Sequence, residues 1–226
     1  MPTKTYFGLP KEKQQRLLDA AKEEFTRASI QEASIANIVK LAGIPRGSFY
    51  QYFEDKEDLY FYLFSELKRS SSQTLEKILK EADGDLFVAM ETYFSFFIQA
   101  LFFGENAGFY KNFFVHMDYR SSNRLSPEMV EKREHIHRKH RKEHHLKNQV
   151  VIDLVDKSKL TISDNEEVKM LFRLLVSFMF ATVNHAYKDK ERGKEPDIEE
   201  LKEEFSKKIN WLKYGVYQSK TEKSEE

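Results

Sequence analysis

Two stretches of the sequence carry side chains whose types and spacing suit chemistry. Wound as a helix at ~100° per residue, Arg46-Gly47-Ser48-Phe49-Tyr50-Gln51-Tyr52-Phe53 puts Phe49 and Phe53 on one side and Gly47 and Gln51 on the other, flanked by Ser48 and Tyr50. The polar side offers what base-pair edges in a major groove require: a guanidinium and a carboxamide, a small hydroxyl, and a glycine that permits close approach. Arg46 opens this helix, where recognition helices usually meet bases. In the second stretch His135, His137, His140, His144 and His145 alternate with Arg138, Lys139, Arg141 and Lys142. Imidazoles bind metals, and His140-Arg141-Lys142-Glu143-His144 has the spacing of an inverted zinc-protease motif.

The histidine stretch lacks the rest of a metal centre. No third ligand is indicated, and the flanking cations oppose a dication. Glu134 with His137 matches half of a di-iron bundle set whose second half is missing. A solvated helix face that partly titrates near neutral pH accounts for the same residues. The alternative is a helical metal- or haem-binding sensor that uses residues 135–145, with His140 and His144 as its centre. Nucleophile elbows, phosphate-cradling glycine loops and supported carboxylate pairs are absent from the sequence, so the expectation is no enzyme, no metal site and no cofactor.

The elements that must position these residues follow from apolar periodicity and punctuation. A helix opening near Pro10 and ending near Ala28 buries Leu17, Leu18, Ala21 and Phe25. Ser34 is placed as an N-cap, its hydroxyl free to accept from the amides of the next turn, and Gly43 stops the short helix that follows. With Pro45 starting the next helix, the pair makes a helix-turn-helix. Asp55-Lys56-Glu57-Asp58 opens a long helix through Leu59, Leu63, Leu67, Leu75 and Leu79. Further helices are expected from Gly84, after Ser126-Pro127-Glu128, from Asp164, and from Ile198 to Tyr217. The fold class is therefore all-α: an N-terminal three-helix domain in residues 1–69, a C-terminal helical domain in 70–219, and a charged tail in 220–226.

Composition limits the classes. With 40% hydrophobic and 33% charged residues the chain can fill a core and remain soluble, which argues against disorder. The lack of cysteine rules out disulfides and thiolate metal sites, and no apolar signal core or membrane span is expected, so the compartment read from the sequence is the cytoplasm. A formal net charge of +0 counts against nucleic acid only weakly, because a reader of short duplex sites needs a few placed donors rather than a basic whole.

Leu18-Asp19-Ala20-Ala21 with Phe25, Ala33-Ser34-Ile35-Ala36-Asn37-Ile38, the run from Ala42 to Phe53, and Asp55-Lys56-Glu57 together resemble the DNA-binding signature of TetR-family regulators over about Gln15 to Leu59. The resemblance implies that Arg46, Gly47, Ser48 and Gln51 read bases while Ser34, Tyr50, Tyr52 and Lys56 hold phosphates. Two departures stand out: Ala28 to Glu32 lacks the glycine usual after the first helix, and Tyr52 replaces a common histidine. The resemblance further implies a homodimer paired through its last two helices, a palindromic double-stranded DNA operator, repression relieved by a small-molecule effector, and a pocket for that effector. Phe94, Phe97, Phe109, Phe113 and Phe114 are the candidates to line a pocket for an apolar or amphipathic ligand, or else they are plain core.

Overall fold

A computed structural model describes residues 2–116 and 149–216. Among the described residues the regular structure is helical. In chain order the helices are α1 (Lys4–Phe7), α2 (Lys11–Arg27), α3 (Ile35–Ala42), α4 (Arg46–Tyr52), α5 (Lys56–Glu81), α6 (Leu86–Phe103), α7 (Ala107–His116), α8 (Asn165–Glu191) and α9 (Ile198–Tyr214). A helical stretch ending at Asp153 and a 3-10 turn over Lys157–Lys159 precede α8.

Local chemistry sets most of the boundaries. Aspartates accept the orphan amides at helix starts: Asp55 from Asp58, Asp85 from Phe87 and Val88, Asp164 from Glu166, and Asp197 from Glu199 and Glu200. Gly43 ends α3 in the left-handed region at φ 64°, and the amide of Ile44 closes onto the Val39 carbonyl at 3.0 Å. Gly84 does not begin a helix; it turns at φ 73° before the Asp85 cap, and its carbonyl accepts from the Asp156 amide at 2.9 Å. A Cβ there would meet the Asp156 nitrogen at 2.6 Å and the Leu154 oxygen at 2.8 Å. Ser34 precedes α3 as expected, but its hydroxyl makes no capping bond. Helix α1 is a feature the sequence reading did not anticipate.

Two cores share helix α5. Its first half contributes Leu59, Tyr60 and Leu63 to a cluster with Leu17, Phe25, Ile38, Phe49 and Phe53. Its second half contributes Leu75, Ile78 and Leu79 to a larger cluster built from α6, α8 and α9. Helix α7 joins the two: Phe109 is fully buried in the first cluster while Phe114 belongs to the second. By length and composition alone, α6 and α8 are each apolar enough to cross a bilayer. Both also fill the core with one side, through residues such as Met90, Phe94 and Ile98 of α6 and Leu175, Met179 and Val183 of α8.

Candidate nucleic-acid interface

Helix α4 is fixed by what it buries. Phe49 and Phe53 are both 0% exposed, which turns Arg46, Gly47, Tyr50 and Gln51 to the surface, with Ser48 and Tyr52 partly buried beside them. A Cβ on Gly47 would meet nothing within 4 Å, so at this position the backbone is open to an approaching surface. The left-handed turn at Gly43 ends α3 shortly before α4, and of the four residues expected to read bases Arg46, Gly47 and Gln51 are exposed and Ser48 is half-buried on this short helix. Guanidinium, carboxamide and hydroxyl groups on such a face can bond to base edges.

Of the residues expected to hold phosphates, Tyr50 and Tyr52 lie on α4 itself, and Ser34 and Lys56 are held by partners. Glu24, only 2% exposed, accepts from the Ser34 amide at 2.7 Å and from the Asn37 carboxamide at 3.3 Å. Arg27 closes on the same carboxylate through Nε at 2.9 Å and Nη2 at 2.8 Å. The Arg27 bond, with the Ser34 amide and Asn37, holds the Glu24 carboxyl below its ordinary range despite burial. Glu24 thus satisfies the Ser34 amide from α2, while the Ser34 hydroxyl, expected to accept from the amides of the following turn, makes no bond in the cap. The Lys56 ammonium donates to the carbonyls of Gln31 at 2.7 Å and Ala33 at 2.9 Å, so two of its three N–H donors tie the start of α5 to the loop before α3. Glu24 carried a legible signal: it falls at helical spacing from Leu17 and Ala21 on the buried side of α2, where a carboxylate needs partners.

The five candidate pocket phenylalanines do not share one wall. Phe94 stacks on Phe205 of α9 at 4.2 Å, and Phe109 packs against Tyr60 in the N-terminal core at 5.2 Å. Phe97, Phe113 and Phe114 lie closer to one another's surroundings, touching Phe180, Phe64 and Tyr187 respectively. Polar groups are set among them: the Tyr93 hydroxyl bonds Ser71, the Tyr187 hydroxyl donates to the Leu101 carbonyl at 2.9 Å, and burial pushes the Tyr110 phenol up to about 12.

Residues 17–63 match the family model described as bacterial regulatory proteins, tetR family, and residues 85–216 match the tetracyclin repressor-like C-terminal domain. The chain belongs to the TetR family. An uncharacterized HTH-type transcriptional regulator, YdgC, of Bacillus subtilis is 36% identical over 92 residues, covering 38% of this chain and 47% of that protein. The fatty acid metabolism regulator protein of Bacillus subtilis is 32% identical over 69 residues, covering 30% of this chain and 36% of that protein. The chain thus spans less than half the length of these curated relatives. Among solved structures, FadR from Bacillus subtilis in complex with stearoyl-CoA aligns over 90% of this chain and 99% of its own, at TM-score 0.60 and 18% identity, a likeness of fold.

Within this TetR chain the histidines from His135 to His145, together with Ser126-Pro127-Glu128, lie outside the described residues. Among the described residues no group of three or more histidine, aspartate or glutamate side chains is placed to hold a metal ion. The matched families and relatives are transcription regulators, and the metal- or haem-binding alternative draws no support from them. A junction that the sequence did not disclose ties the TetR C-terminal domain to the N-terminal helices. The Asn112 carboxamide of α7 donates to the carbonyls of Phe25 at 2.8 Å and Thr26 at 3.0 Å, capping the end of α2. Lys22 pairs with Glu105 beside it, and Phe113 stacks on Phe64 of α5 at 4.3 Å.

Proposed function

We propose that this chain is a ligand-responsive repressor that binds a palindromic operator as a homodimer, with Arg46, Gly47, Ser48 and Gln51 reading bases. The observation that carries the reading is the exposed polar face of α4, held outward by the fully buried Phe49 and Phe53. Ser34, Tyr50, Tyr52 and Lys56 set the register on the phosphates in this reading. Two such faces, about one helical turn (~34–36 Å) apart in the dimer, would enter successive major grooves. The proposal is of a binding protein rather than an enzyme, and it places the chain where the DNA is, in the cytoplasm.

Pairing is assigned to α8 and α9. Met170 (61% exposed), Leu174, Trp211 and Tyr214 (74% exposed) present an apolar surface on these two helices that a second copy would cover. The division into residues 1–69 and 70–219 belongs to the same proposal; the change of core between Leu63 and Leu75 of α5 supports it, with Phe109, Tyr110 and Phe113 of α7 reaching back to the first core.

The effector is assigned to the aromatic region between α5, α6, α7 and α8, where Phe97, Phe113 and Phe114 surround phenol and hydroxyl groups. Such a lining suits an apolar or amphipathic molecule. Because a relative of the same fold is described with stearoyl-CoA, a long-chain acyl-CoA is the first to try. A ligand that prefers a state with α7 displaced would move α2 through Asn112 and lower operator affinity by its differential affinity for that state.

The test is selection of bound duplexes from a random pool by the purified protein, alongside the protein with Arg46→Ala and Gln51→Ala. Enrichment of a palindrome that the double variant loses is the expected result. Failure to enrich any duplex at low and moderate salt refutes the reading.

A further inference from the structure

Helix α4 is only two turns long, and the carbonyls of its last turn have no partner within the helix. Two of them are met from the start of the described chain. The Thr3 hydroxyl donates to the Gln51 carbonyl at 2.5 Å, and the Thr3 amide donates to the Tyr52 carbonyl at 2.9 Å. The same hydroxyl accepts from the Tyr6 amide at 3.4 Å, so one oxygen bridges the start of α1 and the end of α4. Thr3 is held in place by its neighbours: Pro2 is buried, and Tyr6 is 0% exposed, with its ring edge-on to Phe53 at 5.0 Å and to Tyr62 at 5.5 Å. Nothing about the core requires the hydroxyl itself, because Thr3 is exposed and its bond to Gln51 lies at the surface.

We infer that Thr3 is a positioning residue for base reading: α1 closes the C-terminal end of α4 and fixes the backbone from which the Gln51 carboxamide projects. The inference rests on α4 being the DNA reader. Its physical basis is that a short helix with an open last turn frays, and a side chain on a fraying residue loses the fixed geometry that a two-point bond to a base edge requires. Thr3 would therefore set discrimination between sequences, while affinity for DNA in general stays with the phosphate contacts.

Three forms of the full-length protein test it: wild type, Thr3→Val, which keeps the branched shape without the hydroxyl, and Thr3→Ser, which keeps the hydroxyl. Amide hydrogen exchange over residues 46–53, measured without DNA, reads the clamp. Affinities for the duplex selected by wild type and for an unselected duplex of equal length read the function. The expected result is faster exchange in Thr3→Val, a loss of about threefold to tenfold in preference for the selected duplex, unchanged affinity for the unselected one, and recovery of both readouts in Thr3→Ser. Equal exchange in all three proteins overturns the clamp. Faster exchange with an unchanged preference overturns the positioning role. If wild type enriches no duplex, the DNA-reading assignment falls and the inference falls with it, while the exchange data still show whether Thr3 holds α4.

Discussion

Replacing Glu24 tests how the reader is held together. The carboxylate is 2% exposed and accepts from the Ser34 amide at 2.7 Å, a charge-assisted bond of about 1.5–3 kcal/mol. The Arg27 partner is 59% exposed, so that ion pair is screened and adds no more than about 0.5–1 kcal/mol. The Asn37 bonds, at 3.3 Å from an exposed residue, add little. Glu24→Ala is therefore expected to cost about 2–3 kcal/mol in urea denaturation at pH 7, Glu24→Gln less because its amide oxygen can still accept from Ser34, and Arg27→Ala less than about 1 kcal/mol. The carboxyl is held below its ordinary 4.5 chiefly by the Arg27 bond, so its contribution is fully present above that value and is lost as pH falls through the lower folded value. The stability gap between wild type and Glu24→Gln should thus be constant from pH 5 to 7, to a close approximation, and should narrow in stronger acid. A cost for Glu24→Ala no larger than that of Arg27→Ala, or a gap that widens in acid, would refute the assignment of the stabilisation to the Ser34 amide.

Other perturbations address the remaining parts. Gly84→Ala forces a side chain into φ 73° and against the Asp156 nitrogen at 2.6 Å, so a loss of about 2–4 kcal/mol is expected in the same denaturation assay. Leu174→Glu, on the exposed face of α8, should leave a monomer at concentrations where wild type sediments as a dimer; an unchanged dimer would place the interface elsewhere. Asn112→Ala removes both bonds to the end of α2 and should weaken acyl-CoA release of operator by about tenfold in a fluorescence-anisotropy titration, with ligand-free operator binding retained. Lys56→Ala should weaken selected and unselected duplexes alike, since an ammonium near phosphates carries no sequence information.

The reader was legible because its elements are short and each is bounded by a residue with a single job. Gly43 had to take a left-handed turn, Pro45 and Asp55 had to start helices, and Phe49 and Phe53 had to share the buried side of α4. Helix α1 was not legible, because four residues cannot show a period, and its docking depends on Tyr6 finding Phe53 and Tyr62 far along the chain. The supports of the site were hidden for a similar reason. Beyond the phosphate role expected of it, Lys56 donates to the carbonyls of Gln31 and Ala33, which become its neighbours only once α5 folds back over the loop. The pocket phenylalanines were read as a group because α6 is apolar nearly all round and offers no polar face to say which way Phe94 and Phe97 point. In the structure one faces α9 and the other α8.

Helix α5 runs 26 residues without a break while its two halves serve different cores. At 1.5 Å per residue it is about 39 Å long, so pivoting it by only about 5° at one end carries the other end through about 3.4 Å. That distance is the rise of one base pair along a duplex. In the proposed dimer on DNA, a pivot of that size would therefore suffice to put an α4 face out of step with its groove by a whole base pair, and in a symmetric pair the two errors would add.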